Sequence, residues 1–233
     1  MLLLAKHIGI VACSAEGAAL CYRTICTEAS EQMGRHNHPE ISMHTTPLAD
    51  YMVGIESDDW DAVAQLMLTS ARKLSEAGAD FLICPDNTIH QSFAKVEGES
   101  PLPWLHIARV VCDTARSRGF TRLGITGTKF LMEGPVYPEA ANAVGVETVI
   151  PDLDRRVCIN NIIFDELVYG DLRDISRDYF IDTISILKNE GCDAVVLGCT
   201  EIPLIINDDV SPLPTLDSTR LLARAAIRHA LNE

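Results

Sequence analysis

The sequence predicts an α/β protein of two similar parallel-sheet lobes related by pseudo-two-fold symmetry, with the active site in the cleft between them. Three observations carry this expectation. Strand-like and helix-like runs alternate through almost all of the 233 residues, the rhythm of parallel sheets covered by helices. Residues 79–84 form a near-continuous apolar run, as a strand buried on both faces requires. One segment of the chain also occurs twice.

In chain order, residues 7–12 read as the first strand and 15–33 as a helical stretch. Residues 40–44 form a second strand, and a polar loop then leads to a helix over 58–77. That helix opens on the capping pair Asp58-Asp59, keeps its apolar residues at helical spacing and stops at Gly78. Further strands are expected at 104–107, 122–126, 148–150, 193–197 and 213–215, with helices between them. Asp152-Leu153-Asp154-Arg155-Arg156 reads as a solvated helix start. The first lobe is expected to take residues 1–98 and 208–233, and the second 99–207.

The repeat is read by setting Gly78-Ala79-Asp80-Phe81-Leu82-Ile83-Cys84-Pro85-Asp86-Asn87-Thr88 beside Gly191-Cys192-Asp193-Ala194-Val195-Val196-Leu197-Gly198-Cys199-Thr200-Glu201. No gap is needed, and the two copies lie 113 residues apart. Ile8-Gly9-Ile10 and Leu123-Gly124-Ile125 match at a similar interval, each opening one half. Ligands of parallel α/β sheets bind beyond the carboxyl ends of strands. The repeat therefore places Asp86 and Cys199 at equivalent strand ends, on opposite faces of one bound molecule.

Composition narrows the partners. A net charge of −14 disfavours nucleic acid and anionic membrane surfaces, which call for clustered Lys and Arg. A small anionic substrate remains compatible, because local charge in a cleft can oppose the global charge. The apolar start Met1-Leu2-Leu3-Leu4 is too short for a signal peptide, and no apolar run reaches the length of a membrane span. The eight cysteines form no paired Cys-x-x-Cys motif, so they are read as reduced and the protein as cytoplasmic. No His, Cys and Asp cluster has ligand spacing, so no metal is expected.

Leu197-Gly198-Cys199-Thr200-Glu201-Ile202-Pro203 is the strongest local signal. An apolar strand ends at a glycine, and a cysteine follows where a helix is expected to begin. Main-chain N–H groups and the helix dipole at such a junction favour thiolate. Thr200 and Glu201 can cap that helix and position their neighbours. Cys21 and Cys112, by contrast, read as buried structural residues.

The Cys199 segment resembles the second catalytic motif, Gly-Cys-Thr-Glu, of the aspartate/glutamate racemase superfamily of cofactor-independent amino-acid racemases. The resemblance runs over nearly the whole chain. It takes in His44-Thr45-Thr46, Asp86-Asn87-Thr88-x-His90, Leu105-His106-Ile107, Gly127-Thr128, Leu131-Met132, Ile159-Asn160 and Gly198-Cys199-Thr200-Glu201. It implies a two-lobed fold, a homodimer, and proton removal and return at Cα by two thiols without pyridoxal phosphate or metal. A Cα–H beside a carboxylate is very weakly acidic. A desolvated base close to the carbon lowers that barrier, helped by donors on the carboxylate that strengthen as charge develops. Asn87, Thr88, Thr128 and Thr200 are the candidate carboxylate donors, each with a helix cap as its alternative. Ser14, after the first strand, Thr46, in the His44-Thr45-Thr46 segment, and Glu201, in the Cys199 segment, are further substrate-binding candidates, Ser14 with a turn role as its alternative. His90 and His106 read as core or supporting groups.

The sequence departs from the family pattern in four places. Asp86 stands at the first catalytic cysteine, with Cys84 two residues earlier. Ala12-Cys13 replaces the glycine pair after the first strand and is followed by Ser14. Cys158 stands at a lysine that holds the substrate carboxylate in several members, and no arginine lies near His44-Thr45-Thr46. These changes make the site more negative, and opposed charges about 4 Å apart interact by roughly 4 kcal/mol at an effective dielectric near 20. A substrate with a neutral or cationic side group is therefore expected.

The expected activity is racemisation or epimerisation of an amino acid or related carboxylate, with Cys199 on one face and Asp86 on the other. Burial can raise a carboxyl into the useful acid/base range. The alternatives are a decarboxylase or lyase that uses Cys199 alone, with Asp86 binding a substrate cation, and a catalytically silent binding protein.

Overall fold

The computed structural model describes residues 5–232, so the start at 1–4 lies outside the described residues. The chain divides into two compact units, Met1–Ile107 with Thr219–Glu233, and Ala108–Ser218. The first unit contains β1 (Ile8–Ala12), α1 (Ala15–Glu28), α2 (Ser30–Met33), β2 (Ile41–Thr45), α3 (Leu48–Glu56), α4 (Trp60–Glu76), β3 (Phe81–Ile83), α5 (Phe93–Glu99) and β4 (Trp104–Leu105). Helix α6 (Ile107–Ser117) leads into the second unit, which contains β5 (Arg122–Thr126), α7 (Lys129–Glu133), α8 (Val136–Ala143), β6 (Glu147–Val149), α9 (Leu153–Asp165), α10 (Asp174–Asn189), β7 (Ala194–Leu197) and β8 (Thr215–Asp217). Helix α11 (Ser218–Ala230) returns the chain to the first unit.

Both sheets are parallel, and they repeat one topology. The first has strand order β2-β1-β3-β4 and the second β6-β5-β7-β8. The repeated segment accordingly forms an inner strand, β3 or β7, in each.

The repeated glycine and aspartate have the same work in both units. Gly78 and Gly191 each have φ of 90°, a left-handed conformation that suits glycine. They close α4 and α10, where the amides of Gly78 and Ala79 bond Ser75 and Leu74, and those of Gly191 and Cys192 bond Lys188 and Leu187. The aspartate two residues on ties the neighbouring strand to the incoming one. Asp80 Oδ2 accepts from the His7 amide (2.7 Å). Asp193 Oδ2 accepts from the Thr121 amide (2.7 Å) and Oδ1 from the Arg122 amide (3.1 Å).

The second match has a packing cause. A Cβ on Gly9 would stand 2.5 Å from Leu82 Cδ2 and 3.3 Å from Leu74 Cβ, and one on Gly124 would stand 2.8 Å from Leu187 Cδ1. Leu74 and Leu187 are the equivalent buried residues of α4 and α10, so the missing side chains let these helices seat against β1 and β5.

Four expectations shift. The junctions fall at 107/108 and 218/219 rather than 98/99 and 207/208. Strand pairing decides this, because Leu82 and Ile83 pair with Trp104 and Leu105, and Val195 to Leu197 pair with Thr215 to Asp217. The expected strand at 213–215 accordingly begins at Thr215. The stretch 15–33 is broken at Ala29, near which the hydroxyls of Thr24, Thr27 and Ser30 bond back to main-chain carbonyls and compete with the helical ladder. The expected polar loop before α4 contains α3, whose apolar Leu48, Tyr51, Met52 and Ile55 have helical spacing. Asp59 caps α4 and Asp152 caps α9, each through a side-chain oxygen.

Asp193→Ala removes a charged acceptor from two amides and is expected to cost about 2 kcal/mol. Asp80→Ala, with one such bond, should cost less. Urea unfolding of both variants measures the difference.

Candidate active site

In the first unit the candidate residues leave the carboxyl ends of three neighbouring strands. Ser14 follows β1, Thr46 follows β2, and Asp86, Asn87 and Thr88 follow β3. Ser14 Oγ accepts from the Gly17 amide (3.2 Å) and caps α1, and Thr46 is half-buried. Asp86 is also half-buried, and its Oδ1 accepts from the Ile89 amide (3.3 Å) at the start of a short 3₁₀ turn over Thr88–Ser92. Asn87 is buried within that bend.

His90 holds Asp86 from behind. A main-chain carbonyl only accepts, so His90 Nδ1 carries the proton it gives to Asp86 O (2.6 Å). The other ring nitrogen then accepts from the Ile107 amide (3.5 Å). His106 packs edge-on against the His90 ring at 4.6 Å, and both are buried supporting groups.

Cys84 is fully buried. Burial pushes its thiol well above the ordinary range, and the Asp86 carboxylate adds to that. It therefore stays neutral, while Asp86 is the group at this strand end that meets solvent. Tyr51 of α3, also fully buried, is raised by burial first and then by Cys84, Cys13 and Asp86.

In the second unit Thr128 follows β5, and Cys199, Thr200 and Glu201 follow β7. The position of Cys199 is set by backbone packing. The Gly198 amide donates to Thr126 O (2.8 Å), and a Cβ on Gly198 would stand 2.7 Å from that oxygen and 2.5 Å from Leu131 Cδ2. Thr126 Oγ1 donates to Val196 O (2.7 Å), and Ser218 Oγ to Leu197 O (2.9 Å), which anchors the end of β7 on both sides.

Cys199 Sγ donates to Glu201 Oε2 (2.8 Å), and Thr200 Oγ1 donates to the same oxygen (2.8 Å). Glu201 is only 4% exposed, so this carboxylate sits in a desolvated environment with a thiol proton aimed at it. The arrangement can move a proton between sulfur and carboxylate. It replaces the expected helix junction, because Cys199 lies in a turn and only a three-residue 3₁₀ helix, Ile202–Leu204, follows. So short an element has too few aligned peptides for a useful dipole. Neither Thr200 nor Glu201 caps it through a side chain. Thr128 does cap, accepting from the Leu131 amide (3.3 Å).

Charge around these residues is partly hidden from local sequence. Lys73, on α4, donates to His44 Nε2 (2.9 Å) and so brings a cation to the His44-Thr45-Thr46 segment, where no arginine stands. In the second unit the cations beside Cys158 are engaged elsewhere. Arg155 bonds Asp182 (2.8 Å) and Thr183 (3.0 Å), and Arg156 bonds Glu133 (3.0 Å) and Pro151 O (2.7 Å). Among the described residues no group of three or more His, Cys, Asp or Glu side chains is arranged to hold a metal ion, and no disulfide forms. No described helix is long and apolar enough to cross a membrane.

The Asp/Glu/hydantoin racemase family model matches residues 8–226. This chain belongs to that family. It is an isomerase of the racemase class, with the family's α/β fold. It is similar to the broad-specificity amino-acid racemase RacX of Bacillus subtilis, at 19% identity over 191 residues and 82% of each chain. A crystal structure of a candidate Asp/Glu racemase from Yersinia pestis superposes with a TM-score of 0.89 at 30% identity, over 97% of this chain and 99% of that one. An aspartate racemase homologue from Pyrococcus horikoshii gives 0.84 at 26% identity, over 97% and 99%.

The buried thiols predict a pH response. Burial pushes Cys112 from the ordinary 9.0 to about 12, with Asp113 adding to it, and Cys84 and the phenol of Tyr137 are raised well above their ordinary ranges. The folded state holds these protons more tightly than the unfolded chain does. Their contribution is therefore intact below about pH 9 and is lost as pH rises toward 12. Thermal scans across that range should show a progressively falling midpoint. At pH 8, iodoacetamide should label half-buried Cys199 and spare Cys84 and Cys112 until the protein unfolds.

Proposed function

We propose that this isomerase is a cofactor-independent racemase or epimerase acting at Cα of an amino acid or related carboxylate, with Cys199 as its thiol acid/base. The observation that carries the reading is the bond from Cys199 Sγ to the buried Glu201 carboxylate. Glu201 accepts the thiol proton, and the thiolate takes the Cα proton as the bonding pair moves into the substrate carboxylate. Asp86, as the acid, returns a proton to the opposite face. The Thr200 hydroxyl is bonded to Glu201, so the proposal assigns its main-chain amide, with Asn87, Thr88 and Thr128, to the substrate carboxylate. Ser14 and Thr46 border the Asp86 side. The internal repeat and the family resemblance support pairing Asp86 with Cys199 on one ligand.

The side group of the substrate is proposed to be neutral or cationic. Arg155 and Arg156 are held by acidic partners and Lys73 by His44, and the Asp86 carboxyl supplies no cation with which a side-group carboxylate could pair. A second reading gives the chemistry to Cys199 alone, as in a decarboxylase or lyase. It is favoured by Asp86 Oδ1 accepting the Ile89 amide, a capping role that needs no acid/base step.

Proton NMR in deuterium oxide over a panel of amino acids and small carboxylates tests both readings. Loss of the Cα signal without net consumption supports racemisation, whereas carbon dioxide or alkene release supports the second reading. Neutral or basic amino acids should exchange faster than aspartate and glutamate; fast, selective aspartate turnover refutes the side-group assignment. Cys199→Ala should abolish exchange, and full activity in that variant refutes the site.

A further inference from the structure

The two repeated strands reach their acid/base candidates under different restraints. In the second unit the peptide before Cys199 is bound at both polar ends. Leu197 O accepts from Ser218 Oγ (2.9 Å), and the Gly198 amide donates to Thr126 O (2.8 Å). In the first unit Pro85 stands where the repeat places Gly198 in the second. Proline has no amide proton, so the donating half of that clamp cannot form before Asp86. A restraint on this strand end has to come from residues after it, and His90 supplies one.

His90 is 3% exposed, and its ring is held from two directions. Phe93 stacks on it at 5.4 Å between centroids, and His106 meets it edge-on at 4.6 Å. Both nitrogens are engaged in that one orientation. Nδ1 donates to Asp86 O (2.6 Å), and Nε2 accepts from the Ile107 amide (3.5 Å). The bonds need opposite roles, which the neutral ring fills with its proton on Nδ1. Ile107 opens α6, where the first amides have no partner within the helix. One side of the ring therefore caps α6 while the other fixes the Asp86 peptide. Ser218 has the matching place in the second unit, since it opens α11 and its hydroxyl reaches back to the end of β7. The helix after the fourth strand thus begins, in each unit, at a residue linked to the end of the third. The link is a hydroxyl in one unit and an imidazole in the other.

The bond to the main chain also bears on the carboxyl. Asp86 O and Asp86 Oδ1 are held by consecutive residues of one turn, His90 and Ile89. The first bond sets the peptide plane and the second the side chain, and neither alone sets both.

We infer that His90 is the positioning residue for the Asp86 carboxyl, acting through its Nδ1 proton on Asp86 O rather than through its cap on α6. This rests on the reading of Asp86 as the second acid/base, so the test includes measurements that need no turnover.

The test separates the two ring nitrogens. In His90→Asn a side-chain amide donor stands near the place of Nδ1, and in His90→Gln a side-chain oxygen can reach the place of Nε2. Hydrogen exchange at the Ile89 amide reports the Asp86 carboxylate that holds it. It should speed up about tenfold in His90→Gln and stay near wild type in His90→Asn. In Cα exchange, kcat should fall about tenfold in His90→Gln with KM little changed, and only about twofold in His90→Asn. The ¹⁵N spectrum of histidine-labelled wild type, with His90 assigned by its contact with the Phe93 ring, should show a protonated Nδ1 and a bare Nε2. A proton on Nε2 overturns the inference whatever the variants do. Equal losses in the two variants also overturn it, marking His90 as a cap on α6 and no more. A wild type without Cα exchange overturns the racemase reading alone, because the Ile89 amide and the ring tautomer still judge His90.

Discussion

The close approach of Gly198 to the end of β5 is the constraint on which the second unit's chemistry depends. Its amide bonds Thr126 O at 2.8 Å, and any side chain would collide with that same carbonyl. Backbone packed on backbone has little freedom to relax. The next three residues therefore start from a fixed point, and a bend of three residues suffices to bring sulfur, hydroxyl and carboxylate together. Glu201 is buried by this bend, so its oxygen is desolvated before any ligand arrives. A desolvated carboxylate is a stronger acceptor than a hydrated one, and that strength is available for a thiol proton.

The first unit reaches an equivalent point with different chemistry. Its inner strand ends in Cys84-Pro85-Asp86, and burial keeps the thiol neutral while the aspartate turns toward solvent. His90 and the Ile89 amide hold Asp86 from main chain and side chain respectively. Asp86 thus has a main-chain and a side-chain contact of its own, as Cys199 has in the second unit, although a carboxylate and a thiol make different demands on their neighbours.

Much of this was legible in the sequence because the repeat had mechanical causes. Gly78 and Gly191 are needed to end a helix with positive φ, and Asp80 and Asp193 to bond the adjacent strand. Constraints so local leave a local pattern. The clustering of Cys199, Thr200 and Glu201 was equally visible, because they adjoin in the chain. The surroundings of Cys199 read as a helix junction, since an apolar stretch after a turn does not distinguish a full helix from the three-residue 3₁₀ turn that follows it. Lys73, Ser70 and Tyr51 are not legible in the sequence for another reason. Lys73 and Ser70, both on α4, meet His44 only in three dimensions, and Tyr51 belongs to α3, whose polar residues read as a loop although Leu48, Tyr51, Met52 and Ile55 have helical spacing.

The strand orders carry a consequence for solubility. A sheet edge offers unpaired amides and carbonyls to any other extended chain, and proteins blunt such edges by shortness or by charge. The outer strands β4, β6 and β8 are two or three residues long, too short to template another strand. Among the described edge strands only β2, with five residues, is longer, and it carries exposed Met43. Lys73 sets its ammonium against His44 of that same strand. One lysine thus orients a histidine and also places a hydrated positive charge beside the edge most open to aggregation.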